Sequence, residues 1–196
     1  MTTPTPTSDM GFSDARRVFE HRHLWRVTLP ALAEAGRLLA TAAQQRLGPI
    51  SCVIGIANGG LVPATLIATT LSVPVYQVAA RHNASADTYL PATGIVTCDL
   101  HDLAQHGRLT GTVLVVDDIC GTGATLGAVL AQLPAHAVEQ TRFCSATLCR
   151  NVGAASAPDL HCWDVADWVV FPWETPLPVC RPTTPLPVPS EVISRG

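Results

Sequence analysis

Apolar positions along the chain alternate between two rhythms. From Pro30 to Arg46, PALAEAGRLLATAAQQR spaces Leu and Ala three and four residues apart with polar residues between them, which predicts a helix. SCVIGIA, Ser51 to Ala57, is a continuous apolar run of strand length, and NGG ends it. LVPATLIATTL returns to helical spacing, with Pro63 in the first turn, where a missing N–H is tolerated. VPVYQVA, Val73 to Ala79, predicts a strand, TVLVVDD another, and ATLGAVLAQL a helix. TRFCSATLC, Thr141 to Cys149, and the short WVVF complete the strands. This alternation predicts an α/β fold: a mainly parallel, doubly wound sheet flanked by helices. Ligands of such sheets bind beyond the carboxyl ends of the strands. Both NGG and DDICGTGAT fall at such ends.

Three stretches do not share these rhythms. Residues 1–13 are Thr/Pro-rich and predict a flexible N-terminal arm; they contain no apolar core of a signal peptide. Residues 81–110 mix Asn, Asp, His, Gly and Thr, and a loop of that length in a compact domain is a candidate lid. Residues 176–196 carry repeated Pro and predict an extended tail. The expected organisation is one domain over 14–175 between the arm and the tail.

Composition narrows the function. With 47% apolar and 14% charged residues, the chain has the material for a buried core. Its net charge of −3 argues against a general nucleic-acid binder, which needs a basic face. It does not argue against a phosphate ligand, because backbone amides can bind one. The seven cysteines, Cys52, Cys98, Cys120, Cys144, Cys149, Cys162 and Cys180, are odd in number and have no C-x-x-C spacing. Neither a disulfide framework nor a zinc site is indicated, and a reducing cytoplasm is expected. No apolar run reaches membrane-spanning length, so no membrane partner is expected.

The richest stretch is VLVVDDICGTGATL, Val113 to Leu126. The loop Gly121–Thr125 (Gly121, Thr122, Gly123, Ala124, Thr125) joins a strand to a helix. Amides at a helix start lack intrahelical acceptors and carry partial positive charge. Glycine lets backbone approach a phosphate closely, and Thr122 and Thr125 add hydroxyls. No G-K-[ST] is present, so this is not a Walker loop. Asp117 and Asp118 would repel a phosphate. Their natural partners are the vicinal hydroxyls of a ribose, or a magnesium ion bound to them. The plainer alternative is a solvated acidic strand end before a capped helix.

These residues resemble the phosphoribosyl pyrophosphate (PRPP) motif of type I phosphoribosyltransferases. VIGIANGGLVPA, Val53 to Ala64, resembles the pyrophosphate loop of the xanthine–guanine branch. The resemblance implies pyrophosphate binding by backbone at Ala57, Asn58, Gly59 and Gly60, with a cis peptide at Ala57–Asn58. The family usually carries Arg or Lys where this chain has Asn58; Arg81 is the expected compensating cation. DWVVFPWE, Asp167 to Glu174, resembles the base-binding hood of the 6-oxopurine enzymes. There Trp168 would stack on the base and the Val169 backbone would read its edge. Arg150 lies near the place of the family's lysine that donates to the 6-oxygen. Core packing for Trp168 and a solvated strand end for Arg150 remain as alternatives, and Trp163 and Trp173 are read as packing. The resemblance covers roughly residues 30–175.

One departure matters. Members of the 6-oxopurine branch begin the loop with Asp, which moves a proton at purine N7; this chain has Gly121. Adenine phosphoribosyltransferases also lack that Asp. Asp99, His101, Asp102 and His106 are candidate proton carriers on closure of the 81–110 segment, with plain surface residues as the alternative. The resemblance implies an enzyme that transfers phosphoribose from PRPP to a purine-like base with Mg2+, releasing pyrophosphate, as a cytoplasmic homodimer. Because Gly121 leaves position 7 open, a 7-deazapurine of specialised nucleoside biosynthesis is the expected base. Salvage of guanine, hypoxanthine, xanthine or adenine is the alternative. A PRPP-sensing regulator or a nucleotide-cleaving enzyme on the same fold is the rival.

Overall fold

The computed structural model describes residues 16–82, 96–174 and 182–195. Helix α1, Leu29–Leu47, begins where Thr28 Oγ1 accepts a hydrogen bond from the Ala31 amide at 3.3 Å. Such a cap stabilises a helix by about 1 kcal/mol. Pro30 sits in its first turn, and its Ala and Leu stripe (Ala31, Leu32, Ala35, Leu39, Ala43) is buried. Helix α2, Leu61–Leu71, lies beside it, so close that an added Cβ on Gly36 would stand 3.1 Å from Leu66 Cβ. Both helices cover one face of a seven-stranded sheet. Helix α4, Ala124–Gln132, packs on the other face, and the short α3 is His101–Ala104.

The strands in chain order are β1 (Leu24–Arg26), β2 (Ile50–Ala57), β3 (Val75–His82), β4 (Val96–Asp99), β5 (Thr112–Cys120), β6 (Arg142–Asn151), β7 (Leu160–Val165), β8 (Trp168–Val170), β9 (Thr184–Pro185) and β10 (Ile193–Ser194). The large sheet runs β10-β7-β6-β5-β2-β3-β4. Its five inner strands are parallel, and β4 and β10 are antiparallel edges. The central strand β5 shows why its sequence is continuously apolar. Leu114 and Val116 face the α1–α2 core, while Val113 and Val115 face the α4 core. Each buried Val or Leu contributes roughly 1.5–3 kcal/mol. The expected doubly wound architecture is what forms. The described cysteines are free thiols, and among the described residues no helix is long and apolar enough to cross a membrane.

Two expectations about irregular segments need revision. Part of the 81–110 stretch is regular structure: β3 continues to His82, β4 returns antiparallel to it, and α3 follows. Residues 83–95 of the expected lid lie outside the described residues. Residues 182–195 of the Pro-rich segment are extended but docked. β9 pairs with β1, β10 pairs with β7, Leu186 and Val192 are buried, and Trp163 Nε1 donates to Pro187 O at 3.0 Å. Pro185 is tolerated because β9 is an edge strand, where a missing donor breaks no ladder. β1, β8 and β9 form a second, three-stranded sheet, the hood.

Candidate active site

Two loops leave the carboxyl ends of the adjacent strands β2 and β5 and meet at the acidic pair. The turn after β2 contains a cis peptide at Ala57–Asn58, as the resemblance implied. Gly59 and Gly60 are required there. A Cβ on Gly59 would overlap the Asp118 carboxylate, and one on Gly60 would stand 2.5 Å from Val116 O and 2.7 Å from Asp117 Cα. The backbone of 57–60 is therefore pressed against the carboxylates that end β5. Asn58 is exposed.

The loop after β5 is preformed. Gly123 adopts φ +93°, and a Cβ on it would stand 3.0 Å from Ser156 O. The Ala124 amide donates to Thr122 Oγ1 at 3.3 Å, the Ala155 amide donates to Thr122 O at 3.2 Å, and the Cys120 thiol donates to Ser156 O at 3.2 Å. A cavity of about 130 Å3 lies over this loop, lined by Asp117, Asp118, Gly121 to Thr125 and, unexpectedly, Arg17. The amides of the first turn of α4 open onto it, the arrangement that binds a phosphate monoester.

Asp117 and Asp118 sit at the floor of the cleft. Burial first, then the neighbouring Asp118 charge, holds the Asp117 carboxyl well above the usual range. Burial, then the charge of Glu174, pushes Asp118 up to about 6. Burial also raises Glu174, whose Oε2 accepts from the Phe171 amide at 3.0 Å. Arg17 pulls both Asp values back down. Such an excess of negative charge suits a divalent cation. Among the described residues no three His, Cys, Asp or Glu side chains converge enough to cage a metal alone. Mg2+ is commonly held by one or two carboxylates together with substrate oxygens.

A second cavity, about 190 Å3, adjoins the first under the hood. Trp168, Val169, Phe171, Glu174, Asp118 and Ile119 line it, together with Arg17 and Phe19. β8 is fixed in register beside β1, with Val169 opposite Trp25. Trp168 stacks with Phe19 at 6.3 Å between centroids and 26° between planes. Trp163 is buried, and Trp173 stacks on Phe171 at 5.1 Å, so both are packing residues as expected.

Arg150 and the expected proton carriers lie elsewhere. Arg150 Nε is 2.9 Å from Asp164 Oδ1, the oxygen that also meets His161 Nε2 at 3.0 Å. Arg150 lines neither cavity; the ion pair across β6 and β7 holds it. Asp99, His101, Asp102 and His106 also line neither. Asp99 accepts from the His101 amide, and His106 packs on Tyr76, at the β4 side of the sheet. Arg81 pairs through β3 with Thr97. Arg17, Phe19 and Glu174 are site residues that sequence reasoning missed. The space beside Gly121 is occupied by the end of the Arg17 side chain. An added Cβ would stand 2.5 Å from Arg17 Nη2 and 2.7 Å from its Cζ.

The Phosphoribosyl transferase domain family matches residues 29–179. A xanthine-guanine phosphoribosyltransferase of Gluconobacter oxydans (strain 621H) is 27% identical over 182 residues, 89% of this chain and 94% of that protein. Among solved structures, a purine phosphoribosyltransferase from Pyrococcus horikoshii Ot3 aligns with a TM-score of 0.63 at 26% identity, covering 80% of this chain and 97% of that one. A Helicobacter pylori xanthine-guanine-hypoxanthine phosphoribosyltransferase shares the fold, with a TM-score of 0.61 at 20% identity over 78% of this chain and 92% of that one. Matched over most of its length, with the loops of β2 and β5 closing on one acidic pair, this chain belongs to the phosphoribosyl transferase domain family and is a phosphoribosyltransferase of the type I fold.

Proposed function

We propose that the enzyme transfers the 5-phosphoribosyl group of PRPP to a purine base. A base nitrogen bonds to C1′ with inversion as the C1′–oxygen bond breaks; pyrophosphate leaves with the electron pair, and the proton of that nitrogen passes to solvent or to the pyrophosphate. The observation that carries this reading is the contact of Gly59 with Asp118. It brings a backbone loop suited to pyrophosphate, a carboxylate pair suited to ribose hydroxyls, and the amide cradle at Gly121–Thr125 around one cleft.

In this reading the cradle holds the 5-phosphate. Asp117 and Asp118 hold the ribose hydroxyls, and backbone at Ala57–Gly60 holds pyrophosphate, with Arg81 as its expected cation. Mg2+ bound at Asp117 and Asp118 neutralises charge on the leaving group. Trp168 covers the base and the Val169 backbone borders its edge. These groups act by positioning and by preorganised charge, which together lower the barrier to an oxocarbenium-like transition state. A homodimer belongs to the same proposal, and sedimentation tests it.

For the base, the relatives support a 6-oxopurine such as guanine or xanthine. The 7-deazapurine reading keeps one of its two supports: no carboxylate begins the loop. Its other support, room beside Gly121, requires the flexible end of the Arg17 side chain to move aside. Arg150, paired with Asp164, keeps a base-reading role only if that pair opens. Incubating the enzyme with PRPP, Mg2+ and a panel of bases, with mass spectrometry of the products, tests the proposal. A purine mononucleotide and pyrophosphate are expected. Hydrolysis of a nucleotide without PRPP consumption would overturn it.

A further inference from the structure

The segment just before β1 is built into the site. Asn151, 1% exposed, clamps Val18 from both sides: the Val18 amide donates to Oδ1 at 2.8 Å and Nδ2 donates to Val18 O at 2.9 Å. Gly153 has no room for a side chain because Arg16 O and Val18 Cγ2 occupy it, the latter 2.8 Å from an added Cβ. The Glu20 amide donates to Ala166 O at 2.8 Å. The buried Asp167 carboxylate accepts from the amides of His21, Arg22 and His23 at 2.6, 3.1 and 2.9 Å. That grip holds His21 at φ +57°, a conformation non-glycine residues seldom adopt. In an extended chain residues i and i+2 face the same way. With Val18 held by its backbone, Arg17 and Phe19 both face the cavity under the hood, and both line it.

Arg17 lines the phosphate cavity as well, so its guanidinium stands at the junction of the two, against Gly121. On the proposed reading the new C–N bond forms at that junction. The five-membered ring of a purine bonded through N9 is then the part of the base nearest Arg17. Once N9 has given up its proton to solvent or to the departing pyrophosphate, the other nitrogen of that ring, N7, still presents a lone pair. A guanidinium has five donors and no acceptor, and it does not deprotonate in proteins. It can stabilise an acceptor or a developing anion at this edge but cannot remove a proton from it.

Resting on the proposed transfer to a purine, we propose that Arg17–Phe19 forms a wall of the base site. Arg17 is its specificity residue, donating to an acceptor on the edge of the base that faces Gly121. Bases with an acceptor there, a ring N7 or a nitrile on C7, are favoured. Bases with only C–H at that position are disfavoured.

The test compares guanine, 7-deazaguanine and 7-cyano-7-deazaguanine as competing bases in wild type, Arg17→Ala and Arg17→Lys, with Mg2+-PRPP binding measured in parallel by calorimetry. Each base's own reactivity cancels in the ratio between proteins. In wild type, 7-deazaguanine is expected to trail the better of the other two by tenfold or more. Arg17→Ala should shrink that gap at least fivefold, and Arg17→Lys should restore part of it, with PRPP affinity within threefold of wild type. An unchanged gap in Arg17→Ala overturns the proposal. So does a variant that loses PRPP affinity at unchanged base preference, which would make Arg17 a phosphate ligand, or one that gains PRPP affinity alone, which would make it a plug. Failure of wild type itself to bind Mg2+-PRPP would instead sink the phosphoribosyl-transfer reading.

Discussion

Replacing Asn151 by Ala removes three hydrogen bonds at once: two to Val18 and one accepted from the Gly153 amide at 3.0 Å. Each contributes about 0.5–1.5 kcal/mol net, and two of them hold the docked segment, which should lose about 1–3 kcal/mol. At about 1.4 kcal/mol per decade, local opening rises roughly five- to a hundredfold. The change is local, because Asn151 ends β6 and the ladder of that strand to β5 and β7 remains. The melting temperature should therefore fall by only a few degrees. The reporter is the Glu20 amide, whose acceptor Ala166 O is untouched by the substitution. Its hydrogen exchange should accelerate by the factor above, and the apparent KM for base should rise at least tenfold while PRPP affinity stays within threefold. If Glu20 exchange and the base KM both stay at wild-type values in a folded Asn151→Ala, the clamp does not hold the segment and the reasoning fails.

Trp168→Ala should raise the base KM about tenfold or more, since stacking on an aromatic ring contributes roughly 1–3 kcal/mol per base; an unchanged KM in steady-state kinetics would make Trp168 a packing residue only. Gly59→Ala should weaken Mg2+-PRPP binding at least tenfold with circular dichroism unchanged, because the added methyl overlaps the Asp118 carboxylate. Asp118, pushed up to about 6, is easier to protonate in the fold than its usual value near 4 allows. Its contribution to apo stability is therefore present below about pH 4 and lost as pH rises through about 6. Metal-dependent PRPP binding needs the ionised carboxylate, so it should strengthen across the same range, and calorimetry at pH 5 and pH 7 reads the difference.

Much of the candidate site's geometry was legible because it is local in sequence. A strand, two carboxylates and a Gly/Thr loop within Val113–Leu126 need only the strand–helix geometry to become a loop suited to phosphate, and NGG after β2 reads as the turn that meets it. What was not legible depends on approach in space. Arg17 lies in SDARRVFEH, which has no periodicity and no motif, and its role exists only because Gly121 leaves it room. Arg150 reads as a free strand-end cation until the β6–β7 register sets it beside Asp164. Glu174 gains its meaning from the turn that returns it to Phe171 and toward Asp118. The Pro-rich segment reads as a tail because Pro excludes inner strands, whereas the hood offers it an edge.

Isothermal titration of PRPP into wild type and into the Asp117→Asn/Asp118→Asn double variant, each with and without Mg2+, tests the central claim most directly. The account predicts PRPP binding by wild type only with the metal, and loss of most of that binding in a double variant that still folds. Wild-type affinity in the double variant, or binding indifferent to Mg2+, would contradict it.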